Sequence, residues 1–577
     1  MKMLSRSSFR EAFLLFLLLV LGLQQVLTSE TIDETTDETT VETTVETTNE
    51  HAADLEVEGH GESSEEHGDF HPFHAVLFPS FILTIGVMVF YILSRFAPAL
   101  PYTAIMFLIG TFMGVATMSR GDDTRPNDLK ESLGAWMSID SEVLLLVFLP
   151  GLIFRDSFGQ NVHLFWIALP QLFLFAFPMV LAGTVLTAVF TFYAFSDYGW
   201  SFNLAMTVGT ILSATDPVAV AALLEEVGAP PRLKVHVAGE SLLNDGSAIV
   251  FFLIFKDRFL NELGIPGVGE DVDWGSGILK FLQKSLGAVA VGLISGAGLL
   301  VLTMMLNHRF NREENVVEVV ATFAVAYVGY YVAEIVCSTS GVIATVTTGL
   351  VVRFFVSGII NDAKLLDDFW TMVEHLLNTI IFALGGVVWG SVVADGIERQ
   401  ILRPSDLGRL VLLYVFLTVL RGFLFAVFYP VVSRIGLKSS WQEAVFQVHG
   451  GLRGAVGIAL ALFLESEVRE EAGTGDFFEE KTSLVFALVG GIAFMTLVIN
   501  GVTAGPLLRK LGLADSTDAR KRIVECYQVR FRAHLIDEVS LNCSCSLSFM
   551  LARRLQLDHY YFRYPLVCST PDTKKVP

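Results

Sequence analysis

Gly239-Glu240-Ser241-Leu242-Leu243-Asn244-Asp245-Gly246 places two carboxylates, a hydroxyl and a carboxamide inside a run that otherwise reads as membrane-spanning. The run begins near Arg232 and Lys234 and ends at Lys256, Asp257 and Arg258, so Asp245 lies midway between charged ends. At about 1.5 Å of rise per residue, that midpoint falls near the centre of a bilayer. A carboxylate is costly there, and acids at such depth commonly face a polar cavity and mark an ion or proton pathway. The plainer alternative is an acid that only caps or pairs with a neighbouring helix. Asp245 does not stand alone, which favours the pathway.

Working outward, the chain of 577 residues is 53% hydrophobic and only 17% charged. A soluble chain of this length needs more charge to solvate its surface. The many apolar runs of about 20 residues therefore point to an all-α polytopic membrane protein, with lipid as an obligatory partner. The net charge of −21 is concentrated: 15 Asp and Glu, and no Lys or Arg, lie between Glu30 and His71. Nothing resembles a basic nucleic-acid footprint. Five cysteines are too few for a disulfide scaffold, and four of them (Cys526, Cys543, Cys545, Cys568) follow the last span. Neither His-Glu-x-x-His nor paired Cys-x-x-Cys occurs, so no cofactor and no resident metal are expected.

Residues 1–29 have the order of a signal peptide, with Lys2, Arg6 and Arg10 before the apolar run from Ala12 to Leu23. An uncleaved signal anchor is the alternative. Residues 30–72 are acidic and Thr-rich, cannot bury a core, and are expected to be disordered and extracellular. The histidines in or beside them (His51, His60, His67, His71, His74) read as solvated imidazoles. Residues 73–513 form the membrane domain. Residues 514–577 read as a short cytoplasmic tail, with a charged juxtamembrane helix over Ala519–Val539 and a Cys/Tyr-rich end that fits no element.

From Phe73 onward thirteen apolar segments follow: 73–94, 99–118, 139–155, 168–194, 201–224, 232–256, 278–306, 315–337, 340–357, 370–393, 407–433, 440–464 and 482–508. A cleaved signal puts the mature N-terminus outside, and the odd count then puts the C-terminus in the cytosol. Arg309/Arg312, Arg434/Lys438 and Arg509/Lys510 fall inside, in accord with the positive-inside rule. Arg399, Arg403 and Arg409 dissent on the outer side.

Two spans are interrupted. In the fifth, Thr215-Asp216-Pro217 breaks the apolar run, since proline removes a backbone donor and disfavours helix before it. In the twelfth, Gly450-Gly451-Leu452-Arg453-Gly454 inserts three glycines and a charge. Spans five and twelve fall one in each of two six-span repeats expected over spans two to seven and eight to thirteen. Paired interrupted helices in matching halves point to a transporter's site at mid-membrane.

A hard monovalent cation needs several oxygens in place of water. Asp245 supplies the charge, and Ser241, at i and i+4 with it, shares its helix face. Asn244 adds an amide oxygen; Thr215 and Asp216 add a hydroxyl, unwound carbonyls and a second carboxylate. One acid that binds either a cation or a proton is sufficient for exchange. Glu240 points off that face and needs a positive partner, for which Arg421 in span eleven and Arg453 in span twelve are the candidates. Arg453 alternatively offsets dipoles at the break in span twelve.

At these residues the chain resembles the monovalent cation:proton antiporter-1 family of sodium/proton exchangers, including bacterial NhaP and the plant plasma-membrane salt-tolerance antiporter. The resemblance is carried by Ala214-Thr215-Asp216-Pro217-Val218-Ala219-Val220, by Gly239 to Gly246, and by Gly450-Gly451-Leu452-Arg453-Gly454-Ala455. Asn378-Thr379-Ile380-Ile381-Phe382 and Ile499-Asn500-Gly501 are similar to the plant branch. It runs from about Phe73 to Leu513. The implied fold is NhaA-like, with inverted six-helix repeats, crossed broken helices, a dimerisation domain and a moving core in a homodimer. The implied activity is sodium/proton antiport by an elevator, electroneutral because of Asn244-Asp245. Arg421 best matches the family's arginine partner for Glu240. Two departures stand out. Where the family often carries an acid after Phe148-Leu149-Pro150-Gly151-Leu152-Ile153-Phe154, this chain has Arg155, with Asp156 next as the candidate gate. The stretch after Arg509 is also shorter than that branch's regulatory tail, as truncation would leave it.

Other classes fare worse. Gly329-Tyr330-Tyr331 lacks the Thr-Val-Gly-Tyr-Gly pattern of a potassium filter, so an uncoupled cation channel has little support. Neither Asp216 nor Asp245 sits in the Gly-x-Gly-Asp of an intramembrane aspartyl protease. A transport-dead scaffold would not need Asn244-Asp245. The expected membrane is the plasma membrane, with a potassium/proton exchanger of an endomembrane as the alternative; sodium, potassium and lithium are not distinguished.

Overall fold

Hydrocarbon offers the backbone no water, so a chain this apolar must satisfy its peptide groups within helices. The computed structural model describes residues 74–513 apart from 98–99, 120–127, 140, 217, 264–273, 310–314, 357, 361 and 472–475. The signal-like segment, the acidic stretch and the C-terminal tail lie outside the described residues. Among the described residues the secondary structure is helical, with one isolated bridge.

In order these are α1 (His74–Phe96), α2 (Tyr102–Ser119), α3 (Asp128–Met137), α4 (Ser141–Phe158), α5 (Val162–Leu174), α6 (Val180–Ala194), α7 (Phe202–Ser213), α8 (Val218–Glu226) and α9 (Pro231–Glu262). Then come α10 (Trp274–Arg309), α11 (Asn315–Tyr331), α12 (Gly341–Val351), α13 (Ala363–Glu398), α14 (Pro404–Val432), α15 (Trp441–His449), α16 (Ala455–Glu471), α17 (Asp476–Met495) and α18 (Gly501–Lys510). Helix α5 passes into α6 through a π-helical turn at Phe175–Met179, and α17 into α18 through another at Thr496–Asn500. Every apolar segment read from the sequence falls on one of these helices or on a joined or broken pair. Eight described spans are long and apolar enough to cross a membrane. Short α3 was not anticipated, because its polar sequence carries no apolar run.

Close helix approach organises the bundle. Gly110 and Gly114 on α2 face the carbonyls of Ala383 and Val387 on α13, while Gly386 and Gly390 on α13 face those of Phe107 and Thr111. Any Cβ at these four positions would overlap the opposing backbone. Reciprocal small-xxx-small seams of this kind bring membrane helices to short distance where lipid supplies no hydrophobic drive.

Two of the three dissenting arginines, Arg399 and Arg409, are paired with acids. Arg409 bonds Asp197 at 2.6 Å and Asp406 at 3.0 Å and lies 4.5 Å over the Tyr198 ring. Tyr198 in turn donates to Asp406 at 2.7 Å, and burial pushes its hydroxyl up to about 12, so it stays protonated. Among the described residues, Arg399 is paired with Asp395, one turn earlier, with both side chains well exposed. Arg409→Ala is therefore expected to cost about 2 kcal/mol, because it strips the charged partner from nearly buried Asp406. Arg399→Ala is expected to cost less than about 0.5 kcal/mol. Thermal unfolding of the two variants in detergent checks the contrast.

Candidate functional site: two broken helices that cross

Helix α7 stops at Ser213 and the chain becomes helical again at Val218; α15 stops at His449 and α16 begins at Ala455. The two unwound stretches meet. Asp216 N–H donates to the Leu452 carbonyl at 2.8 Å, and the two residues form an antiparallel bridge. A break at membrane depth leaves carbonyls without helical partners, and each must find one.

The residues singled out from sequence supply them. The Leu212 carbonyl accepts from Arg453 Nε at 2.7 Å, and that of Ser213 from Asn244 Nδ2 at 3.1 Å. The Thr215 carbonyl accepts from Ser241 Oγ. Across the crossing, Gly451 O accepts from Arg453 Nη1 at 2.7 Å, Gln447 O from Arg421, and His449 O from Asn500 Nδ2 at 3.1 Å. Asn244 Nδ2 also reaches Thr215 Oγ1 at 3.1 Å. Thr215, Ser241 and Asn244 are thus joined to one another, and the two polar residues of α9 pin the unwound stretch after α7.

The guanidinium that touches Glu240 belongs to Arg421, with Nη2 2.6 Å from Oε1. Arg453 sits farther off and spends its donors on the two breaks. Both partners of the ion pair are nearly buried, at 12% and 4% side-chain exposure, and this decides how much its loss costs. Glu240, Asn244, Arg421 and Arg453 line one small cavity of about 40 Å³ between α9 and α14. Asn244 therefore faces the ion pair and the break.

Asp245 is placed differently. Among the described residues no hydrogen bond and no ion pair engages its carboxylate, and the charges near enough to act on it are Asp216 and Asp156. Asp156, from α4, also feels Glu374, Asp216 and Arg155. Three acids thus converge where the broken helices cross. Converging oxygens with spare negative charge bind a desolvated cation or a proton, and repel one another when both are absent.

Gly454 makes the crossing possible. A Cβ there would overlap the Asp216 carboxylate, and one at Gly451 would overlap the Arg421 guanidinium. Gly454→Ala is expected to displace Asp216 and lower transport about tenfold or more while the protein still folds. Transport rate per folded molecule in liposomes measures this.

Sequence reasoning missed several partners. Gln171 donates to the carbonyls of Val432 and Leu437 at 2.7 and 2.8 Å, and its Oε1 lies 3.0 Å from His236 Nε2, one helical turn before Glu240. Since Oε1 only accepts, Nε2 carries the imidazole proton. Thr496 accepts from Arg453 N–H at 3.0 Å from within its π-helical turn. A lone Gln or Thr in an apolar run carries no signal of its distant partner. Asn500 did carry one, through the Ile499-Asn500-Gly501 resemblance.

The chain matches the family "Sodium/hydrogen exchanger, transmembrane" over residues 81–510. It is similar to sodium/hydrogen exchanger 7 of Arabidopsis thaliana, 36% identical over 457 residues covering 79% of this chain and 38% of that protein. It is also similar to sodium/hydrogen exchanger 8 of the same plant, 33% identical over 460 residues covering 79% of this chain and 58% of that one. The chain thus spans less than two thirds of the length of these curated relatives. Its fold resembles that of the sodium proton antiporter MjNhaP1 from Methanocaldococcus jannaschii, with a TM-score of 0.57 over 77% of this chain and 99% of that one at 18% identity. With a family match over residues 81–510 and apolar helices of membrane-crossing length, this multi-pass membrane protein belongs to the sodium/hydrogen exchanger family.

Proposed function

We propose that the chain is a secondary active antiporter that exchanges a monovalent cation for a proton at Asp245. The observation that carries this reading is a carboxylate at the middle of α9 with no cationic partner among the described residues, beside Asp216 and Asp156 and next to two crossed helix breaks. A structural acid at that depth would be paired, as Glu240 is; an unpaired one is suited to an exchangeable charge. In one half-cycle Asp245 holds the cation, with Asp216 and the hydroxyls of Ser241 and Thr215 nearby. In the other it holds a proton. Because one carboxylate carries either load, the exchange is one cation for one proton and electroneutral.

Asn244, Arg453 and the Glu240–Arg421 pair keep the broken helices together as the carrying unit moves by an elevator. Asp156 on α4 is the gate beside it. The cation is sodium, with potassium and lithium as alternatives. The setting is a homodimer, as the family resemblance implies, regulating internal pH and sodium at the plasma membrane, which the signal-like segment and acidic stretch suggest, with the N-terminus outside and the C-terminus in the cytosol, in accord with the loop charges.

The test is purified protein in liposomes loaded with a pH-sensitive dye, under an imposed proton gradient and a series of external cations. Dissipation that requires sodium and ignores a clamped voltage is expected. A potassium requirement would favour a potassium/proton exchanger. Current without proton movement would make the protein a channel and end the exchange reading.

A further inference from the structure

Arg155, in the last turn of α4, is bonded to two acids of α13, Asp367 at 2.8 Å through Nη1 and Glu374 at 3.2 Å through Nε. The two acids are seven residues apart, two turns, so they sit about 10 Å apart along α13. Asp367 is 57% exposed and Glu374 26%, so the guanidinium bridges an acid at the surface to one set deeper. Asp156 comes next. It feels the charges of both Glu374 and Asp216, and Asp216 and Asp156 are the charges that act on Asp245. Asp367, Glu374, Asp156, Asp216 and Asp245 are thus linked pairwise, by the shared guanidinium or by their charges, from an exposed acid to the crossing. Arg155 is the cation bonded to the first two, at the face where Asp367 is exposed.

We infer that Arg155 is a tethered counter-cation that sets how strongly the transported cation is drawn in at this face. The inference rests on the exchange reading above. A row of carboxylates with low-dielectric walls concentrates cations at its mouth. A guanidinium bonded to two of those carboxylates cancels much of that field and occupies the oxygens a hydrated cation would meet first. The chain therefore holds down cation affinity on this side while the exchange step at Asp245 is untouched. Arg155 is a positioning residue: it acts through Glu374 and Asp156 and does not touch the carrying carboxylate.

The effect is sided and concerns affinity, which separates it from a merely structural bridge between α4 and α13. Exchange is measured in oriented proteoliposomes with the cation varied at one face and then at the other. Arg155→Gln is expected to lower the KM at the Arg155 face about 3- to 10-fold and leave the KM at the opposite face within about 2-fold. Arg155→Lys keeps the charge and is expected to stay near wild type. Adding Glu374→Gln to Arg155→Gln removes the deeper acid that Arg155 no longer neutralises and is expected to return KM towards wild type. An unchanged KM in Arg155→Gln, an equal change at both faces, or Arg155→Lys behaving like Arg155→Gln overturns the inference while leaving exchange standing. Wild type without cation-dependent proton movement overturns exchange, and this inference with it.

Discussion

Asp245→Asn is expected to abolish cation-dependent proton movement, down to the leak of empty liposomes, while the purified protein stays folded. The side chains have nearly the same shape, so packing on α9 is preserved. What disappears is the carboxylate proposed to hold either the cation or the proton at the crossing. Loss of folding is not expected, because among the described residues no cation is bonded to Asp245 that would be stranded by its removal. Relieving repulsion from Asp216 and Asp156 is expected to leave the thermal midpoint unchanged or raised, the usual trade of function against stability. Dye-loaded liposomes and a thermal melt in detergent read the two halves of this prediction. Residual exchange in Asp245→Asn would move the carrying role to Asp216 or Asp156.

Arg421→Ala is expected to behave in the opposite way, losing the fold rather than the chemistry alone. Its guanidinium holds Glu240 at 2.6 Å and also caps the Gln447 carbonyl at the end of α15. Removing it strands a nearly buried carboxylate and an unpaired helix-end carbonyl together. Breaking one side of a buried pair costs about 3–5 kcal/mol, even where the intact pair adds little net stability. Glu240→Gln leaves Arg421 bonded to Gln447 O and is expected to cost about 1–3 kcal/mol. Because the two residues act as a unit, Glu240→Gln combined with Arg421→Ala is expected to be more stable than Arg421→Ala alone. Thermal unfolding followed by size-exclusion recovery resolves the order. Equal stability of all three variants would remove the structural role assigned to the pair.

These two outcomes separate acids that look alike in sequence. Glu240 and Asp245 lie in one eight-residue stretch, yet one is neutralised by a residue 181 positions away and the other faces two further acids. Ser241 and Asn244 read as oxygen donors to a cation, and their polar hydrogens are used on the carbonyls of Thr215 and Ser213. The same groups that make the site polar keep the broken helices from costing free energy. That double use is invisible without the partner backbone.

The sequence by itself determined the class, the helices and the place where they break. In lipid each span must close its own hydrogen bonds, so apolar length and the positions of proline and glycine are local information and sufficient. They located the interruptions at Thr215-Asp216-Pro217 and Gly450 to Gly454, and the acid midway along α9. Helix ends were less legible: α13 runs over Ala363–Glu398, beyond the 370–393 read from hydropathy, because Asp367 and Asp368 in its early turns are polar. Only the tertiary structure decided which arginine meets Glu240, that Asp216 lies over Gly454, and that Arg155 is bonded to Asp367 and Glu374. Those pairings join residues scores to hundreds of positions apart, and they are set by how closely small residues let helices approach. Hydropathy describes each helix separately; the approach depends on all of them at once.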